Sequence, residues 1–271
     1  MKRDPIVNAA RLRRSRSMFS ATLLMIVNGL LGILLFLFYL VYREKWGAGS
    51  HPEKYYAIFS FLQFLVMILI TPALVGGTIA GERESGRLDV LMTGPMPTWR
   101  IVTGKYVSVM EQILLLHVST LPFLAVALPG SGMGAARAAV LMLFTFGMCL
   151  FIASVSLLLS ALCRRASTGV TVSYAAALLL SVGTLLLAPW GSSRGTPVTL
   201  LLNPFTDLGW LLRVQTGRDS LLAEALQLLP MSVHGDYSDA FFYLSIAVKA
   251  LATGFCLVGA RLFLDSRRRG I

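Results

Sequence analysis

Six long apolar runs, separated by short charged or turn-rich segments, dominate the pattern of this chain. They cover about 19–42, 56–80, 106–128, 138–162, 169–189 and 240–264. Each is long enough to cross the hydrocarbon core of a bilayer, which takes roughly 20 apolar residues as a helix. All six are expected to be helices, because lipid offers no water to satisfy an open backbone. An even number places both termini on one side. The pattern reads as an all-α integral membrane protein forming a single domain over residues 1–271.

Three segments break that regularity. Before the first run, "DPIVNAARLRRSRS" reads as a short interfacial helix within 1–18: Asp4 can cap it and Pro5 suits its first turn. Ile6, Val7 and Ala10 would then face lipid, with Arg11 and Arg14 toward headgroups; a disordered basic leader is the alternative. The first run is too long for a signal-peptide core and no small-residue cleavage site ends it, so a retained span is expected. Residues 190–239 are too many for a bare connection. Within them "VTLLLNPFTDLGWLLR" and "RDSLLAEALQLLP" are apolar but too short to span, and are expected as short outer-face helices before the last span. Asn203-Pro204 should interrupt the first, since proline lacks a donor and disfavours helix just before it.

The third segment, "GERESGRLDVLMTGPMPTWRIVTGKY" at 81–106, sets seven charged side chains between two oily runs. On a helix beginning near Gly81, Leu88, Leu91 and Met92 share a face. Glu82 and Glu84 would lie in its first turn, toward the positive end of the helix dipole. Thr93-Gly94-Pro95 would end it.

Composition agrees with a membrane protein: 56% hydrophobic, 14% charged, mean hydropathy +0.73. A soluble domain carries about 25% charged residues. The net charge of +11 does not point to nucleic acid, because the basic residues sit beside the ends of apolar runs and no aromatic-interleaved basic patch occurs. With both termini inside, 16 of the 24 Lys and Arg fall in cytoplasmic segments and 7 in outer loops. That bias predicts cytoplasmic termini in a multi-pass cell-membrane protein. Cys149, Cys163 and Cys256 have no metal or redox spacing and read as small apolar residues.

The 81–106 segment resembles the corresponding loop of ABC-2 type permeases, the membrane subunits of a class of ABC transporter. The matching features are Glu82 and Glu84, Gly86, the Leu88-Asp89-Val90-Leu91-Met92 run, Pro95, and Gly104-Lys105 opening span three. Val90 and Met92 depart slightly from the family's leucines. The basic leader with Asp4-Pro5, the six spans and the long loop before the last span extend the resemblance over the whole chain.

The resemblance implies six transmembrane helices of ABC-2 (type V exporter-like) architecture. It implies that 81–105 carries a coupling helix which docks on a cytoplasmic ATPase through Glu82, Glu84, Gly86, Arg87, Leu88, Asp89, Leu91 and Met92. The implied assembly is two permeases, the same or different, with two ATPase subunits that hold ATP and Mg; this chain itself would carry no cofactor. Export is likewise implied by the resemblance alone.

Other polar residues lie inside the spans, where ionisable groups are costly and mark pathways or interfaces. Glu111, Gln112, His117 and Lys249 are candidates to line a cargo pathway. The alternative has Lys249 snorkelling outward and Glu111 bonded within the bundle. Helix rise puts Glu111 about 9 Å into span three and Lys249 about 22 Å from the inner end of span six, so Lys249 is nearer the level of His117. In span five Gly169, Ser173, Ala177 and Ser181 form a small-residue stripe suited to close helix packing. The family uses spans one and five at the permease–permease interface, where Asn28 and Gly32 of span one could also serve. Packing within one subunit is the alternative for all six.

No chemistry of an enzyme is apparent. His51, His117 and His234 fall in separate segments, with neither HExxH nor GxSxG present. "TGKY" is not a phosphate-binding loop: Trp99 stands where its first glycine belongs and Tyr106 where it needs Ser or Thr. An ion-coupled secondary transporter is the nearer rival, but no pair of interrupted spans suggests repeat symmetry. An intramembrane enzyme is the more distant one.

Overall fold

The computed structural model describes residues 18–46, 52–94, 96–127, 134–187, 198–217 and 239–268. The expected interfacial leader helix, Pro95 and the "RDSLLAEALQLLP" segment lie outside the described residues.

Every described element is helical. In chain order they are α1 (Met18–Trp46), α2 (Pro52–Val75), α3 (Thr78–Glu84), α4 (Arg87–Thr93), α5 (Thr98–Ser119) and α6 (Leu121–Ala127). Then come α7 (Ala135–Leu162), α8 (Ala166–Leu178), a π-helical turn (Leu179–Gly183), α9 (Thr184–Leu187), a 3-10 turn (Val198–Leu202), α10 (Pro204–Thr216) and α11 (Asp239–Arg268). Six helical stretches among the described residues are long and apolar enough to cross a membrane. The spans pair with α1, α2–α3, α5–α6, α7, α8–α9 and α11.

Helix α7 is the centre of the bundle and packs against α2, α8 and α11. Its buried face carries Ser154, Ser156 and Ser160 beside Ala153 and Ala161, small residues that let neighbouring backbones come close. The closest approach is between α2's end and α8. A Cβ built on Gly169 would sit 2.3 Å from the Gly76 carbonyl oxygen, so only glycine fits. Helix α1 lies at the edge, with only Val27 and Leu31 of its described side chains buried.

Two apolar clusters fill the two ends. One gathers Val75, Ile79, Leu88, Met92, Val102, Ala161 and Leu264 around α4. The other, at the far end, joins Tyr56, Phe64 and Leu141 to Leu208, Leu211 and Leu212 of α10. There the Trp210 and Phe242 rings stack with centroids 3.9 Å apart. Helix α10 is therefore folded into the bundle and does not lie on its surface.

Two boundaries differ from expectation. Span two does not stop near residue 80: after a break at Gly76-Gly77 it resumes as α3 and ends at Glu84. Span three starts at Thr98, well before the expected 106. The acidic pair therefore closes a span and does not open the surface helix. Asp89 is the acidic residue in the first turn of α4.

Candidate functional site

At the α4 end, α3 is fastened to its surroundings by consecutive residues. Its own N-cap, Gly77, has no side chain. Ser160 Oγ on α7 substitutes, accepting from the Ile79 and Ala80 amides at 3.1 Å each; these are among the donors a helix start leaves unpaired. At the other end Glu82 pairs with Lys105 of α5. Arg83 donates to the Cys163 and Ala161 carbonyls at 2.6 and 2.7 Å, where a cation complements the negative end of α7. Glu84 Oε2 accepts from the Ala166 amide at 2.9 Å, at the positive start of α8. The Glu-Arg-Glu triplet thus matches charge to three neighbouring elements in turn.

Gly86 then reverses the chain with φ +69°, a left-handed conformation open to glycine at no steric cost. Helix α4 follows with two unlike faces. Leu88 and Met92 are 1% and 4% exposed and join the apolar cluster beneath. Arg87, Asp89 and Val90 point outward, and Val90 is 73% exposed. Leu91 is half-buried.

The residues expected to dock on an ATPase thus lie in different surroundings. Leu88 and Met92 are packed into the chain's own apolar cluster. Glu82 and Glu84 are bonded within the chain. The outward face consists of Arg87, Asp89 and Val90, the last of which had been placed in the motif only as a departure from it. Arg83 and Ser160 went unread, although an arginine flanked by two acids was a visible signal.

At the far end a second polar group is wholly buried. Lys249 of α11 pairs with Asp207 of α10, at 3% and 0% side-chain exposure. Ser245 Oγ accepts from Lys249 at 2.6 Å and bonds both Asp207 oxygens at 2.9 Å. The Asn203 carbonyl accepts from Lys249 at 3.2 Å. Asn203 also caps α10, accepting from the Phe205 and Thr206 amides at 2.7 and 3.3 Å. Its amide donates to the Ser181 carbonyl at 2.7 Å and to Thr184 Oγ1 at 2.8 Å. The Ser181 carbonyl belongs to the π turn of span five, where the ordinary helical register is interrupted. One asparagine thus joins spans five and six through α10.

Lys249 therefore neither snorkels outward nor meets span three. Its partner, Asp207, was not singled out from sequence; a lone acid within an otherwise apolar amphipathic piece was the available signal. His117 is buried with Nδ1 3.2 Å from the Ile113 carbonyl. Glu111 and Gln112 are half-buried on α5.

The small-residue stripe also turns inward. Gly169, Ser173, Ala177 and Ser181 are buried within the chain, with Ser173 Oγ donating to the Gly169 carbonyl at 2.7 Å and the Ser156 carbonyl at 3.4 Å. In α1, Asn28 donates to Ser119 Oγ at 3.0 Å, and a Cβ on Gly32 would come within 3.3 Å of the Phe123 ring. All six residues serve contacts inside this one subunit.

Residues 48–213, more than half of the chain, match the model of a family described as ABC-2 family transporter protein. The chain is an ABC-2 family permease. The match begins before α2 and ends within α10, so it takes in the α3–α4 joint and Asp207. Comparison with curated proteins gives no match. As a permease of this family the chain is a membrane transport subunit and not an enzyme, and no cluster of three or more His, Cys, Asp or Glu able to hold a metal occurs among the described residues.

Proposed function

We propose that this permease forms the membrane pathway of an ATP-driven exporter and receives its driving motion through α4. The observation that carries the reading is the two-faced α4. Leu88 and Met92 seat it in the chain, while Arg87, Asp89 and Val90 stand out as a charged rim around one apolar knob. Interface energetics favour a small buried apolar anchor with charges that fix orientation. The partner is a separate cytoplasmic ATPase subunit, which supplies ATP and Mg; both termini of the permease are then cytoplasmic, in agreement with the distribution of Lys and Arg.

The joint at α3 gives α4 something to push. A load on α4 passes through the Gly86 turn to Glu82, Arg83 and Glu84, and from them to α5, α7 and α8. Rigid packed elements transmit displacement better than a solvated loop does. A second permease, the same or different, would complete the transporter. The surfaces left for it on spans one and five are the exposed apolar residues, Met25, Ile26 and Ile33 on one and Leu178, Val182 and Leu186 on the other.

The test is ATP hydrolysis by the purified transporter complex. Val90→Asp with Arg87→Glu should lower permease-stimulated hydrolysis at least tenfold while the permease still inserts and elutes as a single species. Unchanged hydrolysis and assembly would remove α4 as the coupling element.

A further inference from the structure

In the half of the bundle away from α4, a groove of about 570 Å³ runs between α5–α6 and α7. Leu114, Val118 and Leu121 line one side and Ala139, Met142 and Leu143 the other. Leu114 is 48% and Leu143 74% exposed, so the groove opens sideways, to lipid rather than through the core of the bundle. Its volume lies within the range of small-molecule sites, roughly 300–1,000 Å³.

One lining residue is not apolar. His117 lines the groove beside Phe146, whose ring meets its imidazole edge-on at 5.8 Å. A carbonyl only accepts, so Nδ1, 3.2 Å from the Ile113 oxygen, carries a proton. In the neutral ring Nε2 is then an acceptor, and it is buried with no hydrogen-bond partner among the described residues. A buried acceptor left unpaired is costly, and an apolar groove of this kind does not hold water well.

We propose that this groove binds a bilayer-dissolved lipophilic molecule carrying one hydrogen-bond donor, such as a long-chain alcohol, with its donor on His117 Nε2. The hydrocarbon body lies between α5–α6 and α7. Nε2 is itself closed off although His117 lines the groove, so the proposal requires a wall side chain to move before the donor reaches it. Glycerophospholipids such as phosphatidylcholine have no hydroxyl or N–H along their chains and enter only as hydrocarbon, leaving Nε2 unpaired. No residue of α4 lines the groove, and binding in it is measured on the permease alone.

The full-length permease in phosphatidylcholine nanodiscs is labelled with a diazirine-bearing long-chain primary alcohol, and in parallel with its methyl ether, which lacks the donor. Saturable alcohol labelling of peptides within 114–125 and 135–146, above that of lipid-facing α1, is expected. The ether should label these peptides about fivefold less, the equivalent of one net hydrogen bond. His117→Leu should bring the alcohol down to the level of the ether, and His117→Gln, which keeps an acceptor, should retain most of the labelling. Leu143→Trp, placed on the lipid-facing wall where it does not disturb the core, should abolish saturable labelling by both probes. Equal labelling of α1 and the groove, equal labelling by alcohol and ether, or labelling indifferent to Leu143→Trp would each overturn the proposal.

Discussion

Glu84 Oε2 accepts a hydrogen bond from the Ala166 amide at 2.9 Å, capping α8 from a residue 82 positions earlier in the chain. Helix α8 has no side-chain cap of its own. Because Arg83 holds the end of α7 in the same way, one dipeptide fixes both sides of the turn at residues 163–165. Glu84→Ala should cost about 1 kcal/mol, the usual loss for a removed helix cap. Glu84→Lys should cost more, since it sets a cation against the positive helix end. Detergent-unfolding midpoints of the two variants check the order.

Lys249 and Asp207 give a sharper contrast. Removing one partner of a buried pair leaves a charge uncompensated, at about 3–5 kcal/mol. Lys249→Met or Asp207→Leu alone should therefore greatly reduce folded protein. The double variant, which removes both charges, should recover much of that loss. Membrane abundance and thermal stability measured across the four-member cycle report the coupling, and a double variant as poor as the sum of the singles would count against the pair.

On α4 the two faces should respond oppositely. Leu88→Asp places a charge in a site that is 1% exposed, and should destabilise by several kcal/mol. Val90→Asp, at a 73% exposed site, should change stability by less than about 0.5 kcal/mol. Thermal unfolding of the isolated permease separates them without any assay of transport.

Gly169→Ala should force α8 away from α2, because its Cβ would meet the Gly76 carbonyl. Overpacking of this sort costs about 1–3 kcal/mol. Gly29→Ala is the control: nothing lies within 4 Å of its would-be Cβ, and alanine is the better helix former. Its unfolding midpoint should be unchanged or higher.

Spans were legible because burial in lipid forces continuous apolar runs. The interruption at Asn203-Pro204 was legible too, from the proline; that Asn203 then caps the helix starting at Pro204 was not. The break at Gly76-Gly77 was not, since hydropathy runs smoothly through it and the helix resumes on the far side. That hid where α3 ends, and so assigned Glu82 and Glu84 to the wrong helix. The spacing of Gly169, Ser173, Ala177 and Ser181 declared a close-packed seam but not the neighbour that fills it. Helical periodicity identifies a face; only the tertiary fold says whether that face meets the chain itself or another molecule. The same holds for Leu88 and Met92. For Lys249, level along the helix was computable, yet its partner came from a segment whose depth no span pattern encodes.

The most direct test of the account is a photo-crosslinking amino acid at position 90, introduced in native membranes with position 88 as the buried control. Crosslinking of position 90, and not of position 88, to a peptide from a Walker-motif ATPase is the predicted result. Adducts of position 90 with lipid alone, together with transport that persists after ATP depletion, would contradict it and favour an ion-coupled carrier.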